Sequence, residues 1–412
     1  MNEPDVRGHI NVAQAISIVD AVPVRPRVVA LDAPVCLARR LSAPVFADRD
    51  YPPFDKSLMD GYAARSGDLA AADAAMSSLR VLGTIAAGSA TTFPLQPGQC
   101  AAIMTGAPIP AGADCVVPVE SVQLSPDKET VRVAGAKPGE FVAPRGSEAR
   151  TGQVVLQRGQ RLGPAQLAAA ASVGATRLEV FAAPTAGILV TGDEIVPPGA
   201  MPLRHQIRDA NGPMLAALVG ELGASVESSE SVGDDPESIR AALLAGLRHD
   251  VLFVSGGMSM GQHDHVPRLL TELGVRILIT KLRIKPGKPF IFGVYEKPDR
   301  THYVFGLPGN PVSGFVCTLV LASRLLTRLC GGTPPAQLPR SRLAEPLPAN
   351  GPREFYQPAI LDGPNIHPLN WKGSADVFTL AQANCLIVRP EKHPPLAVGA
   401  EIEFIAFGPG GM

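Results

Sequence analysis

Three short apolar runs in the middle of the chain each lead directly into a glycine-rich turn. Residues 188–190 precede the turn 191–194, residues 251–254 precede 255–261, and residues 303–305 precede 306–311. Glycine lets backbone N–H groups approach a ligand closely, and a helix N-terminus after such a turn favours anions. If the runs are neighbouring parallel strands, their turns meet at one edge of the sheet and predict a phosphate or oxyanion cradle. For any single turn, an ordinary tight connection is the alternative.

Two lysines follow in the segment 285–289, Lys-Pro-Gly-Lys-Pro. Proline fixes the backbone and removes donors, so Lys285 and Lys288 can be held toward one site, where lysine binds phosphate as a point charge. A surface turn is the alternative. The chain has neither Gly-x-x-x-x-Gly-Lys-Ser/Thr nor Gly-x-Gly-x-x-Gly, which weakens the ordinary P-loop and dinucleotide-binding interpretations.

Carboxylates lie at or near the same strand ends. They are Glu194, Asp209, Asp234, Asp235 and Asp264. Beside an anion cradle they would repel the ligand unless a divalent ion lay between, and carboxylates with phosphate oxygens suit octahedral magnesium. Asp235 precedes a proline at a predicted helix start, so we expect it to be an N-cap. The histidines form no cluster in the sequence that would predict a zinc site.

The elements that must position these residues change along the chain. Residues 11–22 and 164–173 predict short helices, and residues 50–145 hold short β-type runs among Gly and Pro. From about residue 184, strands alternate with helices, which predicts a largely parallel, doubly wound α/β sheet covered on both faces. Residues 333–350 are rich in proline, and β-type runs follow. We therefore predict a multidomain α/β protein with an irregular β domain and a C-terminal all-β domain.

Composition excludes several classes. The 412 residues carry 37 Lys and Arg against 38 Asp and Glu, a formal charge of −1, which gives no support for nonspecific binding of nucleic acid or acidic membranes. The six cysteines form no Cys-x-x-Cys pair and are expected to be reduced. No apolar run reaches the ~20 residues needed to span a bilayer, and the N-terminus lacks a signal-like segment. We expect a cytoplasmic protein.

Seven motifs, in order through most of the chain, resemble one family. They are Pro-Pro-Phe-Asp-Lys-Ser-Leu-Met-Asp-Gly-Tyr-Ala (52–63), Ile-Met-Thr-Gly-Ala-Pro (103–108), Gly-Ala-Asp-Cys-Val-Val (112–117), Thr-Gly-Asp-Glu (191–194), Ser-Gly-Gly-Met-Ser-Met-Gly (255–261), Lys-Pro-Gly-Lys-Pro (285–289) and Leu-Pro-Gly-Asn-Pro-Val-Ser (307–313). The pattern is similar to that of the MoeA-like molybdopterin molybdenumtransferases, a family that includes the C-terminal domain of gephyrin.

The resemblance implies the last step of molybdenum cofactor biosynthesis. Adenylylated molybdopterin would bind, its phosphoanhydride would be cleaved with magnesium, molybdate as substrate would enter the dithiolene, and AMP would leave. The resemblance also implies an L-shaped, elongated subunit and a homodimer with a shared active cleft. Its sheet domain would resemble the molybdopterin adenylyltransferase fold. That adenylyltransferase and cofactor-accepting molybdoenzymes are possible partners.

The same resemblance assigns domains and roles. The domains would be 1–50 with 146–183 (linker and dimer contacts), 51–145 (irregular β), 184–332 (molybdopterin-binding α/β) and 333–412 (C-terminal β). The catalytic residues would be Asp60, Thr105, Glu148, Glu194 and Asp234, with Glu194 and Asp234 also binding the metal. The substrate-binding residues would be Ser255, Gly256, Gly257, Ser259, Asp264, Lys285, Lys288, Pro308, Gly309, Asn310 and Ser374.

This chain departs from the family pattern at several positions. Lys56 replaces an Asn, Glu148 falls where the family has an Asp, Gln262 replaces a common Glu, and Ala375 replaces a Gly. Two alternatives therefore stay open. One is a non-catalytic cofactor carrier or scaffold, and the other is a different nucleotide-processing enzyme built on the same sheet domain.

Overall fold

The computed structural model describes residues 9–69, 76–89, 93–258 and 265–408. Ser259 and Asp264, both predicted to bind substrate, lie outside the described residues. The chain forms two compact units. The first contains the described residues within Met1–Leu31, Ala38–Ser42 and Glu179–Met412, and the second contains those within Asp32–Leu37 and Ala43–Leu178.

The elements have the following bounds. The helices are α1 Val12–Ala21, α2 Pro164–Ser172, α3 Asn211–Glu221, α4 Pro236–Gly246, α5 Val266–Glu272, α6 Pro311–Cys317, α7 Ser323–Leu329 and α8 Val377–Leu380. The strands as far as residue 181 are β1 Val28–Asp32, β2 Val45–Phe46, β3 Lys56–Ser57, β4 Gly61–Ala64, β5 Ser77–Ile85, β6 Gln99–Ile103, β7 Cys115–Pro118, β8 Val122–Leu124, β9 Thr130–Val133, β10 Val142–Ala143, β11 Val154–Leu156 and β12 Arg177–Phe181. Those after it are β13 Thr185–Thr191, β14 Ile195–Val196, β15 Ile207–Arg208, β16 Ser225–Val232, β17 Val251–Ser255, β18 Arg276–Lys281, β19 Ile284–Lys285, β20 Pro289–Glu296, β21 Thr301–Leu307, β22 Arg340–Leu343, β23 Glu354–Asp362, β24 Asn365–Pro368, β25 Cys385–Arg389 and β26 Glu401–Ala406.

The first unit is built on the predicted α/β sheet. Its strand order is β16-β13-β17-β21-β20-β18, and the first four strands are parallel. β20 and β18 run antiparallel at the other edge. β20 is antiparallel to β21 because the turn that joins them, residues 297–300, is too short for a crossover, and β18 pairs antiparallel with β20 at the edge of the sheet.

Both faces of this sheet are covered, as predicted. Along β13, Ile188 and Val190 face the core that also contains buried residues of α1, α3 and the helix α6–α7, whereas Leu189 faces a second core with α4 and α5. Alternation along a strand sends successive side chains to opposite faces. A strand buried on both faces must be apolar throughout, which explains the run at 188–190.

Side-chain hydrogen bonds cap the starts of α1 and α4. Asn11 caps α1 by accepting the Gln14 N–H at 2.8 Å, and Asp235 caps α4 by accepting the Ser238 N–H at 2.9 Å. The N-cap role predicted for Asp235 is confirmed. α1 packs on the core of the sheet through Val12 and Val19.

One long apolar helix runs from Pro311 to Leu329, with a π-helical turn between α6 and α7. Its 19 residues meet the length and hydropathy of a membrane span, but 78% of the most apolar stretch is buried inside the protein. Arg324 makes a two-pronged ion pair with Asp20, with Nη2 to Oδ2 at 2.6 Å. The burial identifies it as the core helix of the sheet.

The C-terminal strands form a closed β structure in the same unit. The order is β23-β24-β22-β26-β25, and β25 pairs back with β23. Closure leaves no open edge among these strands. β19, from the two-lysine segment, adds to β23 in parallel, with Lys285 opposite Phe355.

The second unit contains the predicted β region. Its main sheet has the order β7-β4-β6-β5-β9-β8, and all four residues of β4 are buried. The first residue of β4 is Gly61, and the close packing of β4 on β7 requires glycine there, because a β-carbon would lie 2.0 Å from the Val117 carbonyl oxygen. The predicted domain boundaries themselves remain a prediction.

Candidate functional site

The glycine-rich turns meet at the carboxyl ends of the parallel strands. Gly256 and Gly257, after β17, have φ of +97° and +65°, which side chains rarely adopt. A β-carbon on Gly256 would also lie 2.4 Å from the Thr191 carbonyl oxygen at the end of β13. The Gly256 N–H donates to the Leu307 carbonyl at 3.2 Å, which joins this turn to the end of β21.

A cavity of about 450 Å³ lies beside these turns within the first unit. Of the predicted substrate-binding residues, Lys285, Lys288, Pro308, Asn310 and Ser374 line it. The remaining lining residues are Pro286, Gly287, Pro289, Ser313, Arg353, Trp371, Lys372 and Gly373. Among the described residues, the lining therefore carries four cationic side chains and no carboxylate, and an anion is the ligand that such a lining favours.

Packing holds the two-lysine segment in place. The Lys285 Nζ lies 4.4 Å from the centre of the Phe355 ring, a cation–π contact. Gly287 has a φ of +116°, and a β-carbon there would lie 2.5 Å from the Cys317 sulfur on α6. The backbone of this segment is therefore pressed against the core helix, which is possible only with glycine.

The C-terminal β structure supplies the opposite wall of the cavity. Arg353 directly precedes β23 and donates from Nη1 to the Ile284 carbonyl at 3.4 Å. Trp371 packs on Phe355, with 5.5 Å between ring centres. Because β19 pairs with β23, the two lysines of segment 285–289 and the cations Arg353 and Lys372 of the C-terminal β structure line the same cavity.

Ser374 is tied to the start of α6. Its carbonyl accepts the Val312 N–H at 3.1 Å, and its Oγ accepts the Asn310 Nδ2 at 3.0 Å. Asp376 holds the loop from below by accepting the Lys372 N–H at 2.9 Å, and this backbone hydrogen bond, with those from Thr379, lowers the pKa of Asp376. An adjoining cavity of about 500 Å³ runs along residues 372–376.

Asn211 connects two of the turns from beneath. Its Nδ2 donates to Ser255 Oγ at 2.8 Å and to the Gly309 carbonyl at 2.7 Å. Ser255 is 1% exposed, so its hydroxyl supports the turn from inside the protein.

The predicted metal-binding carboxylates lie at the end of β13 and after β16. The Asp193 carboxylate accepts the Asp234 N–H at 2.9 Å, and the exposed Glu194 carboxylate folds over Gly192. Neither Glu194 nor Asp234 lines the cavity. In the described part of the chain, no group of three or more His, Cys, Asp or Glu residues is placed to hold a metal. One or two carboxylates completed by substrate phosphates fit magnesium rather than zinc.

In the second unit, Asp60 and Thr105 form a separate pair. Both the N–H and the hydroxyl of Thr105 donate to Asp60 Oδ1, at 2.6 and 2.7 Å. These hydrogen bonds, the backbone one first, lower the pKa of Asp60 below its usual 3.8. Asp60 is therefore a fixed, exposed negative charge.

Two of the departures from the family pattern contact each other. Lys56 Nζ lies 2.7 Å from Glu148 Oε1 in an exposed ion pair. The cation at position 56 therefore pairs with the carboxylate predicted to be catalytic. Among the described residues, no ion pair joins Lys56 to Asp55 or Asp60.

Five residues at or next to the site were not predicted from the sequence: Arg353, Trp371, Lys372, Ser313 and Asn211. Ser313 closes the quoted motif 307–313, and Lys372 directly precedes Gly373 and Ser374, so both had a usable signal. Nothing in the spacing of Arg353 or Trp371 connects them with the lysines, because strand pairing brings them there.

The fold and the site define a multidomain α/β protein with a cation-lined cavity, and comparisons with known proteins specify the family. Residues 10–174 match the family model "MoeA N-terminal region (domain I and II)", residues 187–328 match "Probable molybdopterin binding domain", and residues 340–407 match "MoeA C-terminal region (domain IV)". A molybdopterin molybdenumtransferase of a Nostoc species is 32% identical over 88% of this chain and 85% of the relative. The protein of the same name from Synechococcus elongatus is 34% identical over 89% of this chain and 90% of the relative.

A solved structure agrees. The MoeA protein of Pyrococcus horikoshii, described as a molybdopterin biosynthesis protein, superposes with a TM-score of 0.80 at 30% identity, covering 98% of this chain and 100% of that one. The chain belongs to the MoeA family, and the predicted family and multidomain α/β fold class are confirmed.

Proposed function

We propose that this protein is a molybdopterin molybdenumtransferase, which inserts molybdate into adenylylated molybdopterin and releases AMP. The observation that carries the proposal is the cavity lined by Lys285, Lys288, Arg353 and Lys372, to which the described part of the chain contributes no carboxylate. Molybdate is a small dianion, and a cluster of cations at the carboxyl ends of strands suits it. The curated relatives bearing this enzyme name support the proposal over most of the chain.

Ser374 has a proton available for the oxyanion. Its Oγ already accepts from Asn310, so its own O–H is free to donate, and no acceptor for it is found among the described residues. Lys285 and Lys288 would balance the charge of molybdate while Ser374 orients one of its oxygens. Binding and orientation of this kind place the oxyanion next to the acceptor sulfurs.

The turns would hold the phosphorylated part of the substrate. Ser255, Gly256, Gly257, Gly309 and Asn310 form the carboxyl edge next to the cavity. Glu194 and Asp234 would hold magnesium together with substrate phosphate oxygens. When bound, magnesium would neutralise the charge that develops as the phosphoanhydride breaks.

Asp60, Thr105 and Glu148 are proposed to complete the site in a homodimer with a shared active cleft. Leu58, Met59 and Met104, which flank Asp60 and Thr105 in the chain, are 48%, 36% and 49% exposed. Exposed apolar side chains around a fixed charge are typical of a surface that another protein covers. It also remains a prediction that the protein is cytoplasmic and that the molybdopterin adenylyltransferase and cofactor-accepting molybdoenzymes are its partners.

Incubation with adenylylated molybdopterin, molybdate and magnesium tests the function. We expect AMP to be released, which chromatography detects. We also expect molybdenum to enter the pterin, which is measured by reconstitution of a cofactor-free molybdoenzyme. Tight binding of the substrate without AMP release would instead support the non-catalytic carrier. One observation favours the non-catalytic carrier: Lys56 forms an ion pair with Glu148, one of the carboxylates predicted to be catalytic.

A further inference from the structure

Asn211 lies below two glycine-rich turns and is 7% exposed. It is the first residue of α3, whose start is held by the Gly212 N–H donating to Asp209 Oδ1 at 2.9 Å. Its amide group donates to Ser255 on one turn and to Gly309 on the other. One buried side chain therefore connects both turns to a rigid helix.

The bond to Gly309 sets the direction of the next N–H group. The Gly309–Asn310 peptide is trans, and in a planar trans peptide the C=O and N–H point in opposite directions. Because the Gly309 oxygen is directed inward to Asn211, the Asn310 N–H is directed outward, on the side where Asn310 lines the cavity. Among the described residues this N–H has no acceptor.

The carbonyl oxygen of the Asn211 side chain indicates that the residue matters for its two Nδ2 hydrogen bonds, to Ser255 and Gly309. Asn211 Oδ1 is buried, and no hydrogen-bond donor reaches it from the described residues. An unpaired buried acceptor is unfavourable, and a leucine of similar size would avoid it. A leucine could not, however, hold Gly309, whose peptide plane turns easily because glycine lacks a β-carbon.

We infer that Asn211 is a positioning residue, which holds the Asn310 N–H toward an anionic oxygen of the substrate's phosphate groups. The inference rests on the proposed function only in taking a phosphorylated substrate. Asn211 itself touches no substrate, since its amide is covered by the turns. Its effect would be transmitted by one peptide group.

Asn211→Asp tests this, because aspartate has the same size but no N–H and would face the Gly309 oxygen with a negative charge. We expect AMP to bind about tenfold or more weakly, through loss of one N–H bond to a charged oxygen, with adenosine binding unchanged. Asn384→Asp is the matched control, because Asn384 also donates its amide to a carbonyl, that of Leu361 at 3.0 Å, away from the cavity. Melting temperatures of both variants report on folding.

A measurement on the unaltered protein does not depend on the variant folding. The chain has eight asparagines, so selective ¹⁵N-asparagine labelling gives few backbone amide signals, and Asn310→Ser identifies that of Asn310. We expect AMP to shift the Asn310 signal, and adenosine to leave it in place. An Asn310 signal that AMP does not move, or AMP and adenosine affinities that fall together in Asn211→Asp, would overturn the inference. The insertion assay reports separately on the proposed function.

Discussion

Removing the charge of Lys285 tests the anion cavity most directly. Lys285→Met keeps an unbranched apolar stem against Phe355 and removes the ammonium that lies 4.4 Å from the ring centre. Two unit charges ~4 Å apart attract by about 1 kcal/mol in water-like surroundings, which suit this exposed residue. Molybdate carries two charges, so the loss is about 2 kcal/mol, or roughly 30-fold in the dissociation constant.

Trp371 gives a local assay, because it is the single tryptophan of the chain and lines the cavity. Its fluorescence should change as molybdate is added, and the titration midpoint should rise in Lys285→Met. At about 1 M salt, where the Debye length falls to ~3 Å, the difference between variant and wild type should shrink to a few-fold.

Lys297→Ala provides the control for this experiment. Lys297 lies in the turn before β21, at the amino end of that strand, whereas the cavity lies beyond its carboxyl end. The seven residues of β21 separate the two sites by roughly 20 Å. Equal affinities for Lys285→Met and wild type, or an equal loss in Lys297→Ala, would refute the reasoning.

Three further predictions concern other parts of the site and fold. Hydrogen bonds from Thr105 lower the pKa of Asp60, so the ionised carboxylate stabilises the fold above its unfolded pKa of 3.8, and this stabilisation is lost as the pH falls through the lower folded pKa. The free energies of unfolding of wild type and Asp60→Asn, measured by denaturant titration, should therefore differ by a constant amount between pH 5 and pH 8 and converge as the pH falls below about 4. Gly61→Ala should destabilise the protein by roughly 1–3 kcal/mol, seen as a lower melting temperature, because the new β-carbon meets the Val117 carbonyl, and an unchanged melt would contradict that packing. Asp60→Ala and Glu194→Ala should each abolish molybdenum insertion with the fold intact, and mixed heterodimers should recover part of the activity; no recovery in isolated heterodimers would count against a shared cleft.

The sequence determined the sheet and its turns because those features are local. A strand buried on both faces must be apolar at every position, as 188–190 and 251–254 are, and a turn with positive φ at Gly256 and Gly257 needs glycine. The N-cap at Asp235 likewise depends only on the next three residues. The roles of all the predicted site residues, those of the cavity included, remain predictions, although the structure gives each described one a position.

Only the tertiary structure decided which cations share a cavity and what supports the turns. Arg353 lies 65 or more residues from the lysines along the chain, and the pairing of β19 with β23 joins them. Asn211 connects Ser255 and Gly309 through bonds that span 44 and 98 residues. Local patterns record what a residue needs from its neighbours in sequence, whereas contacts between distant segments follow from strand pairing and packing of the whole unit. For that reason the sequence alone predicted an anion site, and the fold supplied half of its charges.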